Sequence, residues 1–332
     1  MNDPHSELPD MNGIKLTAAC LAALLLQAQP AWAQGYPNRA IRFVIPTAPG
    51  GGPDVVARML QPELTQALGQ TIVVDNRAGA NALIGADVVA KAPPDGYTWL
   101  MATGQNTMNA NLVRKMPHDI VKDFAPVTNL IKSPYLLVVH PSLPAKSVSD
   151  LIALAKSRPG KLNFGSGGVG SAAHLSAELF KVSTNVNMVH VVYKGAGLAL
   201  SDLVAGHIDL MFPAIASGIP HHKAGALRGL GVTGPRRHPS LPEMPTIAEA
   251  GVPGYELRSW FGLMMPAGTP RAIVDQVNAV MRKVMALPHI RDRLIAQGTD
   301  PETDTPEEFA RFIRDDVVKQ AKVARAAGLK PE

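Results

Sequence analysis

Residues 46–54 read Pro-Thr-Ala-Pro-Gly-Gly-Gly-Pro-Asp, and the three consecutive glycines impose no Cβ barrier to positive φ. They stand between a β-branched run, Ile41 to Ile45, and an amphipathic run with Val56, Leu60, Leu64 and Leu68 at spacing four. The first has the composition of a strand and the second the spacing of a helix. Strand, glycine turn and helix start together aim free backbone N–H groups and the positive end of a helix dipole at one point. That point suits an anion. Nothing in it is a nucleophile, a metal cage or a base with a partner. A glycine-rich connection without a ligand is the competing reading. Asp54 opens the helix and caps it or pairs with a cation there, because a bare carboxylate would repel a bound anion. Pro62 lacks an N–H and predicts a kink or a new turn within this helix.

The pattern recurs at Gly165-Ser166-Gly167-Gly168-Val169-Gly170, between an expected strand at 162–164 and an expected helix at 172–180. G-x-G-x-x-G in that setting is the local fingerprint of a dinucleotide site. It calls for an acidic residue about 20 positions on. Residues 185–190 contain neither Asp nor Glu, although Lys194 would suit a 2′-phosphate. Ser166, Ser171 and His174 raise acyl transfer instead. Ser171 and His174 share a helix face, and Glu178 is spaced to orient the imidazole. Against this, there is no G-x-S-x-G elbow, and a serine at a helix start is ordinarily a cap. A serine hydrolase and an NADP-binding enzyme on the Gly165–Gly170 turn are thus the alternatives to a plain anion-binding cleft. His174 reads equally as a ligand partner or a buried, satisfied residue. His221, His222 and His238 lack metal-ligand spacing and read as surface, and Trp260 reads as core rather than cleft wall.

The chain has 332 residues, 46% hydrophobic and 18% charged, enough for two cores. Residues 1–33 read as a secretory signal peptide: Lys15, an apolar segment from Ala18 to Leu26, then Ala31-Trp32-Ala33 as the cleavage site. Met11 is an alternative start that gives a conventional basic leader. The apolar segment is about half the length a spanning helix needs. Cys20, the one cysteine, lies in this leader, so the exported chain has no disulfide and relies on its cores. The net charge of +5 favours acidic small molecules modestly. Its Lys and Arg residues are scattered without interleaved aromatics, which excludes a nucleic-acid interface.

To position the two turns, the sequence offers strands at 71–75, 97–103, 136–140, 189–193, 209–212, 230–233 and 257–264. Helices are expected at 84–90, 147–157 with Ser147 or Ser149 as cap, 195–205, and from Thr269-Pro270 to Met285. A Pro- and Gly-rich connection covers 234–254. In the tail Phe309, Phe312, Ile313, Val317 and Val318 fall at helical spacing, predicting a helix packed across a sheet. Two α/β blocks, each with a glycine turn, imply two lobes facing across a cleft.

The combination resembles the tripartite tricarboxylate transporter substrate-binding proteins, the Bordetella uptake gene family of periplasmic receptors. The pieces that carry the likeness run through most of the chain. They are Pro49-Gly50-Gly51 with Asp54, Val73-Val74-Asp75-Asn76-Arg77, Pro94-Asp95-Gly96-Tyr97-Thr98, Lys122-Asp123-Phe124, Phe164-Gly165-Ser166 with Gly170-Ser171 and His174-Leu175, Tyr193-Lys194-Gly195, Pro245 to Gly251, and Pro266 to Pro270. Leu198 stands where the family often has proline. The resemblance implies an α/β type II periplasmic-binding fold without catalysis, cofactor or metal. Its lobes would be 34–131 plus 236–332 and 132–235. A small carboxylate would sit at Thr47, Ala48, Gly50, Gly51 and Gly52, with Asp54 at the same turn. Ser166, Gly168 and Ser171 would meet it from lobe two, with His174 behind. Thr103, Gly104, Pro213 and Ala214 would complete the walls. The same resemblance implies a periplasmic monomer that delivers its ligand to membrane permease subunits.

Overall fold

A computed structural model describes residues 35–326 and 328–331, so the expected signal peptide lies outside the described residues. Arg39–Glu332 form one compact unit, and Gly35–Asn38 belong to a separate unit without regular structure. In chain order the elements are β1 (Ile41–Ile45), α1 (Gly52–Leu68), β2 (Ile72–Asn76), α2 (Leu83–Ala90), β3 (Thr98–Thr103), α3 (Gly104–Leu112), β4 (Phe124–Pro134), β5 (Leu136–Val139), α4 (Val148–Ser157) and β6 (Asn163–Ser166). There follow α5 (Ala172–Thr184), β7 (Val189–Val192), α6 (Ala196–Val204), β8 (Leu210–Met211), α7 (Ile215–Lys223) and β9 (Arg228–Val232). The chain ends with β10 (Arg258–Pro266), α8 (Arg271–Met285), α9 (Pro288–Ala296), β11 (Asp300–Pro301) and α10 (Pro306–Ala326).

Two mixed sheets result, in the orders β11-β4-β10-β3-β1-β2 and β7-β6-β8-β5-β9. In the first, β1 lies parallel to β2 and β3, while β10 runs antiparallel between β3 and β4. In the second, β6 lies parallel to β7 and β8, and β5 is antiparallel to β8 and β9. Burial follows the apolar pattern. Val56, Leu60 and Leu64 of α1 are fully or almost fully buried, as are Leu136 to Val139 of β5.

The chain passes between the sheets at two points that are hydrogen-bonded to the same residue. Tyr135 separates β4 from β5, and Leu257 precedes β10. Between them sits Thr233, fully buried, whose Oγ1 accepts from the Tyr135 N–H at 2.7 Å and donates to the Leu257 carbonyl at 2.5 Å. Residues 236–257 therefore do not rejoin the first sheet as expected. Ile247, Val252 and Tyr255 lie in the core of the second, and Leu241 and Met244 pack on its other face. The structure puts the division at Tyr135 and Leu257 rather than at 131 and 236. The reason is that the proline-rich connection carries its own apolar side chains, which the second sheet buries.

Other expectations change too. α1 continues through Pro62 to Leu68. Helices α3, α7 and α9 were not expected. α8 begins at Arg271, with Pro270 at the cap position; the Thr269 hydroxyl donates to the Pro266 carbonyl instead of capping. α10 buries Phe309 and Ile313 as expected but leaves Val318 exposed. His238 is buried rather than surface, its Nδ1 accepting from the Ser240 N–H at 3.2 Å. His222 is half-buried, its Nδ1 accepting from the Gly229 N–H.

Candidate functional site

The first glycine turn is closed by its own chemistry. Gly50 adopts φ +81°, a conformation that favours glycine. Its N–H donates to Asp54 Oδ2 at 2.9 Å, and the Gly51 N–H donates to the Ala48 carbonyl at 3.2 Å. Asp54 also accepts from Arg58 Nε at 3.0 Å and from Asn76 Nδ2 at 2.9 Å. Burial alone would raise its pKa. The Arg58 guanidinium, the Gly50 amide and Asn76 outweigh burial and hold it below the ordinary carboxylate range. Asp54 is thus the turn's internal brace, its charge already met. Gly50 and Gly51 spend their N–H groups inside the turn. The N–H groups of Ala48, Gly52 and Asp54 have no acceptor among the described residues. The buried Oγ1 of Thr47 has no hydrogen-bond partner either.

The second turn is also self-contained. Ser166 Oγ, fully buried, lies 2.6 Å from His190 Nε2 and 3.0 Å from the Gly168 carbonyl. Ser171 caps α5, its Oγ accepting from the His174 N–H at 3.3 Å. The Gly170 N–H donates to His174 Nδ1 at 3.0 Å, so the ring proton is on Nε2, which faces Glu178 at 3.7 Å. Phe164, His190 and His174 stack, the two imidazole centroids 3.9 Å apart. Burial, then the neighbouring His174, push the His190 pKa down to about 4, so it is neutral at neutral pH. Glu178, although buried, is held low by His174 and Lys181.

These contacts decide between the alternatives. His174 meets Ser171 through its backbone while its ring is committed to Gly170, so no Ser171–His174 pair exists. A Cβ on Gly167 would fall 2.6 Å from Ala196 N, so that glycine serves the close packing of this turn on the start of α6. Gly165 is packed against the Ile208 side chain and Gly170 adopts φ +75°, so the fingerprint glycines serve the fold of this turn. Among the described residues no group of three His, Cys, Asp or Glu side chains could hold a metal.

A cavity of about 220 Å³ lies where the two sheets meet. Thr47 and Pro53 reach it from the first turn, Thr103, Gly104 and Gln105 from the start of α3, and Gly170 and Ala172 from the start of α5. Of the expected residues, Thr47, Thr103 and Gly104 therefore line it. Ala48, Gly50, Gly51, Gly52 and Asp54 shape the turn behind Thr47. Ser166, Gly168, Ser171 and His174 brace the segment that presents Gly170 and Ala172. Pro213 and Ala214 lie in the second sheet's ladder instead, Pro213 O accepting from the Leu136 N–H and Ala214 bridging Tyr135.

The rest of the wall was not singled out in the sequence, apart from Trp260, which read as core: Met108, Leu175, the stretch Leu257–Phe261, and Gln320 of α10. Trp260 is both core and wall. Its indole N–H donates to Asp316 Oδ2 at 3.0 Å, and Phe309 and Phe312 pack edge-on against its ring. Burial raises the Asp316 pKa despite hydrogen bonds from Thr107 and Trp260. Arg258, the one cation lining the cavity among the described residues, is held by Glu256 at 2.9 Å and Glu302 at 3.2 Å.

Residues 56–329 match the model of the tripartite tricarboxylate transporter family receptor. The chain belongs to that family. The protein BugT of Bordetella pertussis is 35% identical over 320 residues, 96% of each chain. Among solved structures, R. palustris Rpa4515 with adipate is 39% identical with TM-score 0.76, covering 90% of this chain and 100% of that one. MatC from Rhodopseudomonas palustris with bound malate is 32% identical with TM-score 0.71, covering 87% and 99%. The two-sheet architecture is thus the two-lobed fold of periplasmic solute-binding proteins, and members of this receptor family bind substrates rather than transform them. The hydrolase and NADP readings are set aside.

Proposed function

We propose that this chain, exported by a cleaved signal at residues 1–33, is a monomeric periplasmic receptor that captures a small carboxylate between its two lobes. It delivers the acid unchanged to the permease of a tripartite tricarboxylate transporter. The supporting observation is the convergence on one cavity of the first glycine turn, the start of α3 and the start of α5. The N–H groups of Gly52 and Ala172, at the starts of α1 and α5, have no backbone acceptor among the described residues. Amides at helix starts stabilise an anion without adding a fixed cation that would hold it too tightly to release. A carboxylate leaving water needs every oxygen paired, and bridging waters serve where amides do not reach. Relatives whose structures hold adipate and malate support the ligand class.

Titration calorimetry with a panel of mono-, di- and tricarboxylates tests this, with mass spectrometry of the recovered acid. Saturable heat and an unaltered acid are expected. A Cβ on Gly51 would stand 3.2 Å from both the Ala48 carbonyl and Thr47 Oγ1, so the branched side chain of Gly51→Val crowds the turn and the unpartnered Thr47 hydroxyl. That variant should lose at least about tenfold in affinity, the equivalent of 1.4 kcal/mol, while keeping a cooperative melt. Unchanged affinity rejects the turn as part of the site.

A further inference from the structure

We infer that the cleft selects an acid with an unhydroxylated hydrocarbon body over hydroxylated acids of the same length; this rests on the receptor reading above. The observation is how the cavity's polar side chains are spent. Thr103 Oγ1 donates to Asn106 Oδ1 at 3.3 Å, and Gln105 Nε2 to Asn109 Oδ1 at 2.9 Å. Ser259 Oγ donates to the Ser133 carbonyl at 3.4 Å. Trp260 Nε1 is given to Asp316, and Gln320 Nε2 reaches Asp316 Oδ1 at 3.4 Å. Arg258 is neutralised by two glutamates, one of them shared with Lys132 at 2.8 Å.

What remains uncommitted is the backbone amides at the starts of α1 and α5 and two buried atoms of lining residues, Thr47 Oγ1 and Gln320 Oε1. Between them the wall is Met108, Leu175, Leu257, Trp260 and Phe261. A carboxylate at the amides is served. A methylene chain along the wall gains apolar burial. A hydroxyl in mid-chain, away from Thr47 and Gln320, leaves water and lies against the apolar wall where the side-chain donors of Thr103, Gln105, Ser259 and Trp260 are already engaged, which is a penalty and not a neutral exchange. The discrimination comes from the missing partner rather than from a clash.

Matched pairs isolate the effect. Calorimetry should compare succinate with malate, which differ by one hydroxyl, and hexanedioate with its tetrahydroxy form, which differ by four on the same six-carbon frame. The expected result is that malate binds about tenfold or more weakly than succinate, and that the tetrahydroxy acid gives no measurable heat where hexanedioate saturates. Equal or tighter binding of either hydroxylated partner overturns the selectivity and leaves the receptor reading intact. No binding by any of the four, nor by any acid of the broader panel, overturns both.

Discussion

At the scale of single residues, the second turn depends on a stacked pair of histidines that the sequence only half disclosed. His174 was legible as a candidate because it follows Ser171 on a helix. His190 was not, because nothing in Val189 to Tyr193 marks the residue that will stack on it across a sheet. Its pKa of about 4, against an ordinary 6.5, has a consequence for stability. Above pH 6.5 His190 is neutral folded or unfolded and contributes nothing. Below it the unfolded chain takes up a proton that the folded chain refuses until about pH 4, so stability falls through that window. Asp54 acts lower: its depressed pKa contributes stability that is lost only as pH drops below the ordinary 3.8. His190→Gln should therefore flatten the decline in melting temperature between pH 6.5 and pH 4. Parallel pH curves for the two proteins would refute this account of the stack.

Elements with strong apolar periodicity were the legible ones. β1, α1, β3 and α5 fall within a few residues of their expected bounds because their buried faces are written in spacing. α3 was invisible for the opposite reason. Its sequence from Gly104 to Leu112 is rich in Asn and Thr, poor helix formers that sit here because tertiary partners satisfy them. Asn109 Nδ2 donates to the Asn81 carbonyl at 2.7 Å, and Thr107 Oγ1 to Asp316 at 2.5 Å. This cleft-lining helix is thus held partly by Asn81, 28 positions before Asn109, and partly by α10, more than 200 positions after Thr107. That tail helix has one working face. Phe309 is fully buried against Trp260, while Val318 is 56% exposed. Phe309→Ala should cost about 3–5 kcal/mol in denaturant unfolding, and Val318→Ala should stay within about 0.5 kcal/mol. A large cost at Val318, or a small one at Phe309, would show the helix packed the other way round.

For the whole molecule, the two-lobed design was legible from two glycine turns in two α/β blocks, but the place where the chain crosses was not. The crossing is set by Thr233 bonding Tyr135 to Leu257, a contact between residues about 100 positions apart with no local signature. The lobes are further joined by an apolar cluster of Met108, Leu175, Leu257, Val323 and Ala324, drawn from α3, α5, the crossing and the tail. This cluster borders the cleft, so motion that opens the lobes must expose it, and a ligand that bridges the lobes favours the closed form. The central claim is that the acid is held where the helix starts converge, between both lobes. A crystal structure grown with saturating hexanedioate tests it most directly. The account predicts carboxylate oxygens within about 2.7–3.2 Å of amide N–H groups at the starts of α1 or α5, with the hydrocarbon chain against Trp260 and Phe261. The acid seated anywhere else on the molecule, or an empty cleft under saturating ligand, would contradict it.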